Sequence, residues 1–197
     1  MSRQTQTADN SPRKRGRVRL IEKRRWIETA LKVMAEGGEK AVKVEVLCQN
    51  LDVSKGAFYS LFKTRDAFMH ELLDYWRQES TEAVIESLSQ QHSASAQLEA
   101  VLLLPLRRPD VEQRALMEMA IRIWASSNES ARATMAEVDS YRLRFFESVL
   151  RRNGFDADEA KARAVLIYGY IVIDGSLPGT RAVELQSICR SILSNGS

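Results

Sequence analysis

Val53-Ser54-Lys55-Gly56-Ala57-Phe58-Tyr59-Ser60-Leu61-Phe62, followed by Lys63, Thr64 and Arg65, reads as a short capped helix with one apolar side. Ser54 is a suitable N-cap, able to accept a hydrogen bond from the Ala57 amide. Val53 and Phe58 stand just before the cap and four residues past it, the spacing of a hydrophobic staple. Phe58 and Phe62 are four apart and share a face. The opposite face carries Lys55, Gly56, Ala57 and Tyr59, with little bulk near the helix start. Such a face can be pressed against another surface.

The flanking sequence supplies the helices that hold this one. Ile27, Ala30, Leu31 and Met34 follow the i, i+3, i+4, i+7 template, and Gly37-Gly38 ends that helix with residues tolerant of a left-handed C′ position. Residues 42–51 carry two signals. Val42, Val44 and Val46 alternate with Lys43 and Glu45 as a strand would, whereas Val44, Leu47, Cys48 and Leu51 match a helix over a longer reach. β-Branched residues lower helix propensity by only a few tenths of a kcal/mol each, so a helix is expected, with Cys48 facing the core. Asn50, Leu51 and Asp52 then make a tight connection into the opening stretch. A helix, a three- or four-residue turn and a second helix with a slim basic face constitute a helix-turn-helix. Thr64 caps the next helix, with Asp66 in its first turn, and Met69, Leu72, Leu73 and Trp76 continue an apolar stripe.

Charge is unevenly spread along the 197 residues. Residues 1–25 hold nine Lys or Arg against Asp9 and Glu22, a charge of +7, leaving −4 on the remainder of a chain whose total is +3. A basic end on a mildly acidic body suits a polyanion partner; a solubilising or nuclear-targeting tail is the plainer use of such a run. Residues 1–16 are polar, with Pro12 and Gly16, and nothing there can bury a face, so a disordered arm is expected. Cys48 and Cys189 lack the spacing of a zinc site or a disulfide framework. No apolar h-region follows the basic start, and the apolar run Ala164–Ile173 is too short to span a bilayer. The expected location is the cytoplasm, with no membrane partner.

Residues from about 20 to 75 resemble the DNA-binding domain of the TetR/AcrR transcriptional regulators. Their usual pattern, Gly-Val-Ser-Lys-Gly-Thr-Leu-Tyr-x-x-Phe, is met here by Asp52-Val53-Ser54-Lys55-Gly56-Ala57-Phe58-Tyr59-Ser60-Leu61-Phe62. Asp52 replaces the usual turn Gly, a substitution that Asp tolerates in a left-handed conformation. Ala57 replaces Thr, Lys43 stands where Thr commonly meets a phosphate, and Glu45 lies where some members place a basic reader, a role not carried over. The resemblance implies a DNA-contact set of Lys43, Ser54, Lys55, Gly56, Ala57, Tyr59, Lys63 and Arg65. Lys55, Gly56 and Ala57 would face base edges. Tyr59, Lys43, Lys63 and Arg65 would meet phosphates. The arm around Arg13–Arg19 would lie along a groove.

The rest is helical in pattern. A helix with Ala83, Val84 and Leu88 fades into the polar Ser89–Ser95, and Leu98–Leu104 is an apolar helix stopped by Pro105. Pro109-Asp110, with Gln113, starts a helix running through Leu116, Met117, Ala120, Ile121 and Trp124. Asn128 caps a long helix to about Asn153, Gly154 stops it, and Asp156 with Glu159 caps the next, to Gly175. Pro178–Leu193 supports a last helix. The two long helices carry apolar residues on more than one face (Met135, Val138, Phe145, Phe146, Val149 and Leu150; Val165, Leu166, Tyr168, Ile171 and Val172). They are expected to pair antiparallel and to build a two-fold four-helix interface with a second copy, as TetR-type regulators do; a single monomer core is the other arrangement. Trp124-Ala125, Val138-Asp139 with Arg142, and Glu159-Ala160 also resemble one common subgroup of the family.

The expected fold is all-α. An arm over 1–17 and a three-helix helix-turn-helix domain over 18–66 precede a helical ligand-binding and dimerisation bundle over 67–197. Candidate pocket residues are Trp76, Leu103, Met117, Ile121, Trp124, Met135 and Phe145, since aromatic and Met side chains on inward faces suit an adaptable apolar cavity; plain core packing is the alternative for each. Arg107, Arg122 and Tyr168 are available as polar anchors, with no pattern selecting them. His70 and His92 have no metal-ligand spacing, and no phosphate loop, nucleophile elbow or HExxH occurs. No catalytic residue, metal or cofactor is therefore expected. The expected function is a dimeric repressor on a palindromic operator, released by a small apolar effector whose identity the sequence does not specify. The alternatives are a DNA-binding protein or helical interaction module without such a ligand, or a membrane-surface role for the basic tail.

Overall fold

In the computed structural model, residues 22–104, 111–174, 187 and 191–192 are described. The expected arm, the stop at Pro105, Arg107, the Pro109-Asp110 helix start and most of the expected last helix lie outside them. Among the described residues every regular element is helical.

Helix α1 (Lys23–Gly37) buries Trp26, Ile27, Ala30, Leu31 and Met34 and ends at Gly38, whose φ of 71° provides the positive dihedral expected of this stop. A 3₁₀ turn (Glu39–Ala41) leads into α2 (Val44–Leu51). Helical period prevails over strand alternation here because Val44, Leu47, Cys48 and Leu51 are all buried on one side. Asp52 closes α2 at φ 53° and ψ 52°, the only non-glycine residue at positive φ among those described. Helix α3 (Lys55–Leu61) follows. Its start differs from expectation. The Ser54 hydroxyl makes no cap bond, because the helix opens with a tight turn in which the Ser54 carbonyl already accepts the Ala57 amide at 3.0 Å.

Thr64 does cap α4 (Arg65–Arg77), its Oγ1 accepting the Ala67 amide at 3.0 Å. Helix α4 does not end in a break. It widens into a π-helical turn (Gln78–Glu82) and continues as α5 (Ala83–Ser89). Helices α6 (Ala94–Leu102), α7 (Val111–Ala125), α8 (Glu129–Arg152) and α9 (Ala157–Asp174) complete the described bundle. Asn128 caps α8 through Ala131 at 2.9 Å, and Asp156 caps α9 through Glu159 at 2.8 Å. Gly154, at φ 95°, turns the chain between them.

Two apolar cores result. The first joins α1–α4 to Ile121 and Ala125 of α7 and to Ala131, Met135 and Val138 of α8. The second joins Leu88 of α5, Leu98, Val101 and Leu102 of α6, Phe146, Val149 and Leu150 of α8, and Ala160, Ala164 and Ile167 of α9. Helix α8 runs through both. The first core crosses residue 66, so the helix-turn-helix is fused to α7 and α8 by continuous packing.

Candidate nucleic-acid interface and bundle cavity

Helix α3 is held from behind by an aromatic cluster. Phe58 has no exposed surface and lies edge-on to Trp26 at 5.4 Å and Phe68 at 5.2 Å, with Phe62 at 5.1 Å. Burying one such ring contributes about 1.5–3 kcal/mol, and each favourable ring pair about 0.5–1.5 kcal/mol more. Lys23 of α1 adds a tie to Glu71 of α4 at 2.8 Å and lies over the Phe62 ring. With its rear face fixed, α3 turns Lys55, Gly56 and Tyr59 to solvent; Tyr59 is 54% exposed. Ala57 is half-buried, while Ser54, Lys43 and Lys63 are exposed.

Lys55 forms an ion pair with Glu45 across the α2–α3 turn. Their hydrogen bond raises the Lys55 pKa and lowers that of Glu45, on which the Lys43 charge also acts; the Lys55 charge in turn is felt together with Tyr59. Lys43 and Lys55 thus both act on Glu45, and Tyr59 acts on Lys55. Lys63 stands at the far end of α3. Arg65 points elsewhere: its Nε donates to the Val42 carbonyl at 3.1 Å and its Nη2 to the Glu39 carboxylate. It ties α4 to the turn before α2. Cys48 is buried, which pushes its thiol pKa up, as befits a core thiol.

The seam between the two cores is polar, and a cavity of about 110 Å³ opens on it. Its apolar walls are Trp76 of α4, Val84, Ile85 and Leu88 of α5, Leu104, Met117 of α7, Phe146 of α8, and Ile171 and Val172 of α9; Ser80, Thr81, Arg114, Glu118 and Arg142 supply polar groups. Two of the seven apolar residues expected from sequence, Trp76 and Met117, line this space. Ile121 and Met135 are packed inside the first core. Trp124 lines a separate groove beside Met69, His70 and Ser130, where the His70 ring is 3.0 Å from the Ser130 hydroxyl. Leu103 follows the last turn of α6, next to the lining Leu104, and Phe145 packs against the second core beside Phe146.

Arg142 organises the seam. It is 8% exposed. Its Nη1 donates to both Glu118 oxygens at 2.8 and 2.9 Å and to the Tyr168 hydroxyl at 3.2 Å. Its Nε donates to Thr81 Oγ1 at 3.1 Å and its Nη2 to the Ser80 carbonyl at 3.3 Å. Arg122 completes the layer, reaching both Asp139 oxygens at 2.8 and 3.1 Å, Glu118 at 2.8 Å and the Tyr168 hydroxyl at 2.6 Å. Tyr168 donates to Asp139. Burial pushes the Tyr168 phenol up to about 12. Burial would also raise Asp139, but hydrogen bonds from Arg122 and Tyr168 and the charges of Arg122 and Arg142 outweigh it and hold its carboxyl below the usual range. Arg122 and Tyr168, the anchors no pattern selected, thus meet here. Arg142 and Glu118 were not selected as pocket residues. The available signal was a charge inside the apolar stripe Met135, Val138, Phe146 and Val149 of α8.

The pattern describing bacterial regulatory proteins of the tetR family matches residues 27–72. The HTH-type transcriptional regulator YuxN of Bacillus subtilis (strain 168) is 38% identical over 50 residues, which span 25% of this chain and 17% of that relative. Three solved structures share the fold at low identity. A transcriptional regulator from Rhodococcus sp. Rha1 is 21% identical with a TM-score of 0.68, covering 88% of this chain and 94% of that one. A transcriptional regulator from Saccharomonospora viridis in complex with choline is 19% identical with a TM-score of 0.68, covering 87% and 92%. Reduced NemR of E. coli is 15% identical with a TM-score of 0.72, covering 88% and 96%. Residues 27–72 thus match the tetR family of bacterial regulatory proteins, and the helical architecture around them is shared with these solved regulators.

Proposed function

We propose that this TetR-type transcriptional regulator is a dimeric repressor that binds a palindromic DNA operator and is released by a small effector seated at the seam of its bundle. One observation carries the DNA reading: α3 presents a solvent-facing start of Lys55, Gly56 and half-exposed Tyr59 while its aromatic back is fully buried. A slim helix start lets the backbone approach base edges in the major groove, and Lys43, Tyr59 and Lys63 supply phosphate contacts from its flanks. In this reading Arg65 is a positioning residue, fixing α4 against the loop that leads to α2.

Helix α9 supports the dimer. Val165 is 56% exposed and Leu166 60%, in line with exposed Ala162 and Ile173. An apolar stripe of this kind suits a two-fold helical interface. Two recognition helices would then meet successive major grooves about 34–36 Å apart. The effector reading rests on the cavity between the cores, and the choline held by a structural neighbour supports a small molecule in such a bundle.

Selection from a random duplex library, followed by sequencing of the retained DNA, tests the central statement. Enrichment of an inverted repeat with half-sites one helical turn apart is the expected outcome. Retention of no palindromic motif at low salt would overturn it.

A further inference from the structure

We propose that Glu45 and Lys55 enter the major groove as one reading unit, and that Glu45 selects a G·C pair by accepting from its cytosine. The proposal rests on α3 as the DNA-reading helix and names a specificity-determining residue outside it. Lys55 is the first residue of α3, and Glu45 lies in the first turn of α2. Their ion pair closes at 2.5 Å, yet each side chain keeps 57% of its surface exposed. The pair therefore stands in solvent at the slim end of α3, where Gly56 adds no side chain to hold a base edge away. Both charges act on the buried Cys48 thiol of α2, and Lys43 acts on Glu45 as well.

A lone lysine at this place would be a compact charge that any phosphate satisfies, without sequence information. The carboxylate changes that. Moving Lys55 to a phosphate breaks the ion pair and leaves Glu45 facing a polyanion, so the contact is lost and a like-charge repulsion is added. At a base edge the pair can stay closed, because the ammonium carries three donors and the carboxylate has further acceptor sites. It then presents donors on one side and acceptors on the other. A G·C pair offers the matching order in the major groove, with guanine N7 and O6 as acceptors and the cytosine N4 amino group as donor. An A·T pair in the same orientation sets the adenine amino group against the ammonium and thymine O4 against the carboxylate. A C·G pair reverses the order altogether.

The test uses the full chain, random-duplex selection, and fluorescence anisotropy against the selected and a scrambled duplex over a salt series. Wild-type protein should return one G·C pair at a fixed place in each half-site, and A·T there should cost on the order of tenfold in affinity. Glu45→Gln keeps the shape and turns the carboxylate into an amide, a group that pairs with adenine N6 and N7. A·T should then be admitted at that one position while the rest of the motif stands. Glu45→Ala releases Lys55 to phosphate. Its affinity for the scrambled duplex should rise, and the slope of log K against log salt should steepen by about 0.9. A side chain that merely supports the fold would give the opposite, weaker binding to every duplex with the slope unchanged. Identical motifs from wild type and Glu45→Gln, or an unchanged slope with Glu45→Ala, would overturn the proposal and leave α3 as the reader. No motif from any of the three proteins would overturn the DNA reading and the proposal with it.

Discussion

Gly56→Ala is expected to move stability and DNA affinity in opposite directions. Gly56 is the second residue of α3 and is exposed. Its φ is not positive. Among the described residues, a Cβ added there meets only the Ser54 hydroxyl, at 3.6 Å, an ordinary contact. Nothing among them therefore asks for glycine, and alanine should stabilise the helix by about 0.5–1 kcal/mol, nearer the lower figure in a first turn. For a chain of this size 1 kcal/mol corresponds to roughly 2–4 °C in Tm, so a rise of about 1–3 °C is expected in thermal melts. On DNA the same methyl group would stand between the helix start and the base edges. A loss on the order of 1–3 kcal/mol, the scale of one base-edge contact, should appear in fluorescence anisotropy with the selected duplex at fixed salt. Unchanged affinity together with a raised Tm would show that the start of α3 does not face the groove. A lowered Tm would refute the claim that the fold leaves this position free.

Leu166→Glu places a charge on the exposed stripe of α9 and, across a two-fold interface, opposite its own copy; sedimentation should show monomers with helicity unchanged, and persistent dimers would move the interface elsewhere. Arg142→Met leaves Glu118 in the buried layer with Arg122 as its remaining arginine partner and should cost about 3–5 kcal/mol in urea melts, most of it recovered when Glu118→Met is added; additive losses would show that the pair is not coupled. Tyr168 has a folded-state pKa raised to about 12 against about 10 in the unfolded chain, so its contribution is fully present below pH ~10 and is lost as pH rises toward 12. Wild-type stability should fall across that window, and the Tyr168→Phe variant should show a flatter alkaline limb; parallel limbs would refute the assignment.

What was legible in the sequence is what short-range chemistry decides. The Thr64, Asn128 and Asp156 caps, the left-handed Asp52, the stops at Gly38 and Gly154 and the stripe of α1 all rest on residues within one or two turns of one another. The slim face of α3 was readable for the same reason. Arg65 was not, because the carbonyl and carboxylate that hold it are 23 and 26 residues away. The cavity was harder still. A stripe of Met and aromatic residues says which side of a helix is inward, not whether a neighbour fills the space. Ile121 and Met135 meet the helix-turn-helix core, whereas Trp76 and Met117 border a gap. The π-helical turn is equally silent, since Gln78–Glu82 contains no glycine or proline to mark it.

The division into two cores links the cavity to α3, the proposed recognition helix. Helix α3 belongs to the first core, and α9, the proposed dimer face, to the second. In a dimer built on α9, the spacing of the two recognition helices is therefore set by how one core sits on the other. Helix α8 runs through both, and the contacts that can be exchanged without opening either core are those of the polar layer. Typical coupling between an effector and a distant site is about 1–3 kcal/mol. A hydrogen bond involving a charged group contributes about 1.5–3 kcal/mol. The bonds from Arg142 to Ser80 and Thr81 are thus sufficient, without disruption of either apolar core, to bias the seam between two settings. In the proposed regulator, Arg142 is the buried charge placed to couple the seam to the π-helical turn.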